Sequence, residues 1–251
     1  QTRLQTRLFR DKSICKERYI LLSFCSMSNV LDKLKPLVDK TILKLSSPNF
    51  RKDPIGGKFG FITSVISSSY KRHGAILEQA LVESLRECKH LKIFIEDKFP
   101  ISARASTLAS QSGKDLDVSS GANLPYEKKN PVRVLQIDCI VYNKKKKSIS
   151  SYEIKRGNGN FDAGKKRSIR NDLLSTNFLL KSYGVSKKLE VKKSYSYIIC
   201  YYGLRALPKP YSLIKEDLDS HFGASIVKDV EQVNSYFKNS LHSMIDSKNN
   251  E

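Results

Sequence analysis

The chain has 251 residues and carries 45 Lys+Arg against 25 Asp+Glu, a formal charge of +20. Its 39% hydrophobic content is enough to bury the core of one sizeable domain, and the charge calls for a polyanionic partner. A membrane surface would need a long apolar span or a clean basic amphipathic helix. The longest apolar run, residues 19–25, is much too short to span, which leaves nucleic acid as the expected partner and no membrane.

Residues 1–26 lack an initiating Met and set a basic stretch before a short apolar one, without a small-residue cleavage pattern. They read as a disordered or non-native extension, with Met27 as the natural start. Residues 27–60 read as an N-terminal helical segment and linker, 61–246 as the main domain and 247–251 as a frayed tail. Cys15, Cys25, Cys88, Cys139 and Cys200 are odd in number and lack C-x-x-C spacing. They indicate neither a disulfide framework nor a zinc site, and they fit a reducing cytoplasm.

In residues 28–45 apolar positions recur at helical spacing around Pro36, which predicts a kinked or split helix packing onto the core from outside. Residues 46–60, with two prolines and three glycines, read as a linker. Residues 61–91 look helical in two pieces, the second carrying the stripe Leu77, Leu81, Leu85 and Cys88. A strand over 91–98 follows. The polar stretch 99–130 reads as an excursion or flap, the place for base-reading contacts.

Residues 132–155, VRVLQIDCIVYNKKKKSISSYEIK, predict two strands joined by a lysine-rich turn. Alternation places Leu135, Ile137, Cys139 and Val141 on one face, with Gln136, Asp138 and Ile140 on the other. Glu153 and Lys155 share a face in the second strand. Asp138 interrupts a burial-grade strand, and an unpaired buried carboxylate is costly. An E-x-K triplet alone says little in a chain with 28% charged residues.

Beyond the hairpin come a glycine-rich turn, an amphipathic helix whose first turns carry Lys165, Lys166, Arg167 and Arg170, a buried strand over 194–203, and a C-terminal helix over 226–245. Gly159 to Lys165 fits G-x-x-x-x-G-K, but Lys166 stands where a nucleotide-binding loop needs Ser or Thr. The same glycines and helix start suit a DNA phosphate better. Lys144 to Lys147, and the basic residues from Lys187 to Lys193, read equally well as solvated turns or backbone contacts. His73, near an expected helix start, reads as a phosphate contact or capping neighbour. His90, His221 and His242 lack evident partners.

The order helix, strand, strand, strand, helix, strand predicts an α/β fold with a mixed sheet flanked by helices on both faces, its last crossover right-handed. Two acids and a lysine on a rigid hairpin suit phosphodiester hydrolysis, in which carboxylates hold a hard cation and a lysine orients water or stabilises phosphorus-bound oxygens. Asp138, the intervening turn and Glu153-Ile154-Lys155 resemble the PD-(D/E)xK nuclease superfamily, with Ile137 in place of its proline. The resemblance spans roughly 71–203 as a topology and only a few residues as a motif.

That resemblance implies a restriction-endonuclease-like core in which Asp138 and Glu153 bind Mg2+, which Mn2+ can replace. It makes Lys155 the water-positioning lysine and Glu78 the helix acid. Lys165, Lys166, Arg167, Arg170, Arg156 and His73 are then the expected DNA contacts. Within the superfamily a type II restriction endonuclease is most similar, a cytoplasmic homodimer cutting double-stranded DNA. A structure-specific repair or recombination nuclease, or a non-catalytic DNA-binding module, are the alternatives.

Overall fold

The computed structural model describes residues 29–47, 54–112, 123–157 and 160–249. The expectations for residues 1–26, Met27, Cys15, Cys25 and Gly159 lie outside them, as does part of the expected flap. In order the elements are α1 (Asn29–Leu45), α2 (Gly60–Arg86), β1 (Leu91–Ile101), α3 (Ala103–Gln111), β2 (Arg133–Asn143), β3 (Ser148–Lys155), α4 (Ala163–Ser186), β4 (Lys193–Cys200), β5 (Ser212–Leu213), α5 (Lys215–Phe222) and α6 (Ile226–Asn249). The five strands form one sheet in sequence order. β1, β2 and β3 pair antiparallel, while β3, β4 and β5 pair parallel. The chain is therefore α/β with a mixed sheet, and α4 is the crossover that parallel pairing of β3 and β4 requires.

Helices cover both faces. On one, α1, α2, α5 and α6 close a core that includes Val30, Val38, Leu77, Leu81, Leu218 and Val233 over Cys139, Val141, Tyr152 and Ile199. On the other, α3 and α4 bring Ala105, Ala109, Phe178 and Tyr183 against Phe99, Ile140 and Ile149. Each such large side chain removed from water contributes about 1.5–3 kcal/mol, which lets tertiary packing override local signals.

Three differences from the sequence reading follow from that packing. α1 runs through Pro36 as one helix rather than two, because Val30, Leu34 and Val38 bury the same stripe on either side of it. α2 is one helix, not two. Its buried positions Val65, Ser69, His73 and Leu77 stay in phase at every fourth residue across Gly74. The expected flap contains α3, begun by the Ser102 hydroxyl accepting from Ala105 N. Its buried face is made of Ala105 and Ala109, too small to show as an apolar stripe.

Candidate active site

The β2/β3 ladder runs from Asn143 opposite Ser148 to Cys139 opposite Tyr152. One residue further the strands part. There the Asp138 carboxylate replaces the ladder: its Oδ2 accepts the Ile154 N–H at 2.7 Å. A slip against β1 accompanies the fork, since Phe94 pairs with Ile140 but Glu96 with Ile137, an extra residue in β2 of the kind that re-aims side chains. Simple alternation fails as a result. Ile137 joins Ile140 in one core and Cys139 joins Val141 in the other. Asp138, only 8% exposed, is satisfied between the strands rather than on a flat face.

Glu153 and Lys155 reach the same fork from β3. The Lys155 ammonium lies 2.5 Å from Glu153 Oε1 and 4.0 Å from Asp138 Oδ2. Glu78 joins from α2. Burial, then the charge of Asp138, pushes its carboxyl up to about 7, with Glu153 and Asp97 adding to the rise and Lys155 opposing it. Asp138 is also raised, by burial first and Glu153 second, against the pull of the Ile154 amide and Lys155. Burial lowers the Lys155 pKa, but Glu153, Asp138 and Glu78 together outweigh it and the net shift is upward. Its ammonium stays charged at neutral pH.

Asp97, exposed in the middle of β1, is an acid that sequence reasoning missed. Its place in IEDK carries no signal until β1 is laid beside the fork.

The expected DNA contacts divide. Lys165, Lys166 and Arg167 are exposed on the first turn of α4. That turn is capped by Asp162, whose Oδ1 accepts from Lys165 N at 2.8 Å, so a carboxylate already takes the amide expected to meet a phosphate. Arg170 is half-buried, with an η nitrogen 3.2 Å from Ser112 O. Arg156 is held by aromatic rings, its guanidinium 4.4 Å from the Tyr70 centroid and 5.8 Å from that of Tyr202. His73, expected at a phosphate, is instead buried in the middle of α2. Its Nδ1 accepts from Arg156 Nε at 3.1 Å and its Nε2 faces Asn234 Oδ1 at 3.0 Å. With both nitrogens committed it positions Arg156 and cannot meet DNA itself. His90 and His221 also have partners, the Phe222 carbonyl and the Tyr152 hydroxyl.

Gly157 lies just beyond β3, two residues after Lys155 and next to Arg156. Its φ is +74°, and a Cβ there would stand 2.9 Å from Cys200 Cα. Gly157→Ala is expected to cost about 2 kcal/mol or more through strain and backbone clash. Gly74→Ala, whose Cβ would enter open space on α2, is expected to stabilise by about 0.5–1 kcal/mol. Urea midpoints of the two variants check both; equal shifts would refute the contrast.

Among the described residues no three His, Cys, Asp or Glu side chains are placed to hold a metal ion together. The chemistry of the donors nevertheless fits a hard divalent cation. Asp138 and Glu153 offer carboxylate oxygens, and the Glu78 and Asp138 carboxyls, raised by burial first and by neighbouring acids second, have negative surroundings that such a cation would relieve.

No protein-family model matches this chain, and neither a curated protein nor a solved structure matches it. No helix among the described residues is long and apolar enough to cross a membrane.

Proposed function

We propose that the chain is a Mg2+-dependent endodeoxyribonuclease of the PD-(D/E)xK kind, with a restriction-endonuclease-like core, cutting double-stranded DNA in the manner of a type II restriction enzyme. The meeting of Asp138, Glu153 and Lys155 at the fork of the β2/β3 hairpin carries this reading. The helix acid Glu78 adds to it from a different element. Asp138 and Glu153 would hold the cation, which when bound activates water and polarises the phosphate.

The chain's own groups do the rest. The Ile154 N–H fixes the Asp138 carboxylate. Lys155, held protonated by its acidic neighbours, donates to the attacking water and to the phosphoryl oxygens instead of acting as base. Glu78, pushed up to about 7, is the group suited to hold or release a proton near neutrality. Lys165, Lys166 and Arg167, exposed at the start of α4, supply cations for the duplex backbone. A cytoplasmic homodimer would bring two such sites to the two strands.

The test is digestion of an unmethylated plasmid with Mg2+ or Mn2+, with and without EDTA. Discrete fragments that vanish with EDTA are the expected result. Preference for branched junctions would replace restriction by a repair or recombination role. Duplex binding without any metal-dependent cleavage would leave a DNA-binding module and sink the enzymatic reading.

A further inference from the structure

The lysine-rich turn 144–147 and the basic run 187–193 meet at one end of the sheet, where Lys192 N donates to Lys147 O at 2.7 Å. Several of these lysines have internal partners. Lys147 pairs with Glu190, Lys187 with Glu96 at 3.0 Å, and Lys144 Nζ donates to the Lys89 carbonyl. Lys146 and Lys193 instead border a cleft of about 500 Å³ on the sheet face that carries α1, α2, α5 and α6, together with Tyr152, Tyr195, Tyr197 and His221.

The three tyrosines form a row. Tyr195 and Tyr197 stack at 6.0 Å with 29° between planes, and Tyr197 and Tyr152 at 5.5 Å with 21°. The row follows the sheet register, in which Tyr152 lies opposite Tyr197 and Ser150 opposite Tyr195. His221 packs T-shaped against Tyr197, ring centroids 4.9 Å apart, and is tied to the Tyr152 hydroxyl, fixing the inner end. At the outer end Tyr195 stays 38% exposed. The nearby acids are already engaged, Asp217 with Arg205 at 2.6 Å and Glu190 with Lys147.

We propose that this cleft binds single-stranded nucleic acid, an unpaired base extending the stack on Tyr195 while flanking phosphates meet Lys146 and Lys193. An aromatic row continued by exposed cations matches the alternation of π-face and phosphate along an unpaired strand. A duplex cannot use it in this way, because neighbouring base pairs cover each base's faces. The cleft is separate from the fork. Glu153 lines the opposite sheet face with Lys165, Ile169 and Asp172 of α4, so occupancy here does not require that the fork hydrolyse anything.

The test is fluorescence anisotropy of the full chain with a short labelled oligothymidylate and with a blunt duplex, in EDTA so that no cleavage intervenes. Tyr195→Ala is expected to weaken the single strand about tenfold, toward the low end of what losing one stacking ring costs, and to leave the duplex within twofold. The double substitution Lys146→Gln and Lys193→Gln is expected to lower the slope of log affinity against log salt by about 1.4, roughly 0.7 for each lost single-strand phosphate contact.

All of these sites are exposed, and thermal melting verifies that the variants fold. Unchanged single-strand affinity in folded variants overturns the proposal. An equal loss for both nucleic acids in Tyr195→Ala overturns it too, since charge alone would then explain binding. Polyphosphate competing as well as the oligonucleotide would likewise remove the base from the account. None of these readouts depends on cleavage, so a failed nuclease assay and a failed single-strand assay remain distinguishable.

Discussion

Lys155→Ala is expected to lower metal-dependent duplex cleavage by about a thousandfold, which corresponds to about 4 kcal/mol of transition-state stabilisation, while duplex affinity changes by no more than a few fold. The ammonium stands 2.5 Å from Glu153 and 4.0 Å from Asp138, and removing one preorganised donor from such a site costs losses of this order. Affinity survives because Lys155 is one of 45 Lys+Arg in a chain of formal charge +20.

Asp138→Asn sharpens the test. An amide oxygen can still accept the Ile154 N–H, so the fork keeps its shape, but the charge needed to hold a cation is gone. Single-turnover cleavage and anisotropy binding of both variants, with melting curves as a control on folding, separate the two roles. A Lys155→Ala protein that cuts within tenfold of the parent would remove the assignment.

The fork was partly legible in the sequence. Asp138 stood out because a carboxylate inside VLQIDCIVY demands a reason, and its bond to Ile154 N supplies a structural one. The α/β mixed sheet was legible too, since element order and crossover rules leave few topologies. The slip that puts Ile137 and Ile140 in the same core was not, because alternation assumes an unbroken ladder and cannot see the extra residue that β2 itself carries against β1. Helix α3 was hidden by its small alanine face. The tie between His73 and Arg156 joins residues far apart in sequence, and no local pattern marks such a pair. Tyr195 and Tyr197 read as plain core from their apolar surroundings, yet they border an open cleft.

Between pH 7 and 4 two half-buried groups are expected to pull stability in opposite directions, and single substitutions should expose each. His221 is lowered to about 4, by burial first and by Lys146 second, with Asp217 opposing. Its unfolded value is 6.5, so the unfolded chain binds the extra proton, and stability present above pH 6.5 is lost as pH falls toward 4. The full difference is about 3 kcal/mol.

Glu78 has the opposite sign. Raised from 4.5 to about 7, it binds its proton more tightly in the folded state, so its ionisation costs stability as pH rises through that window and returns about 1–2 kcal/mol on acidification, the shift being discounted for the solvent screening of a half-exposed carboxyl. In EDTA, where no divalent cation offsets the acids, the two contributions partly offset each other in the parent. Glu78→Gln should then be more stable than the parent by about 1–2 kcal/mol at pH 8 and lose that margin by pH 4.5. His221→Gln, which keeps a partner for the Tyr152 hydroxyl, should instead gain stability relative to the parent as pH falls. Urea unfolding at pH 8, 6 and 4.5 reads both slopes; parallel pH profiles for parent and variants would show that neither shift exists in the folded chain.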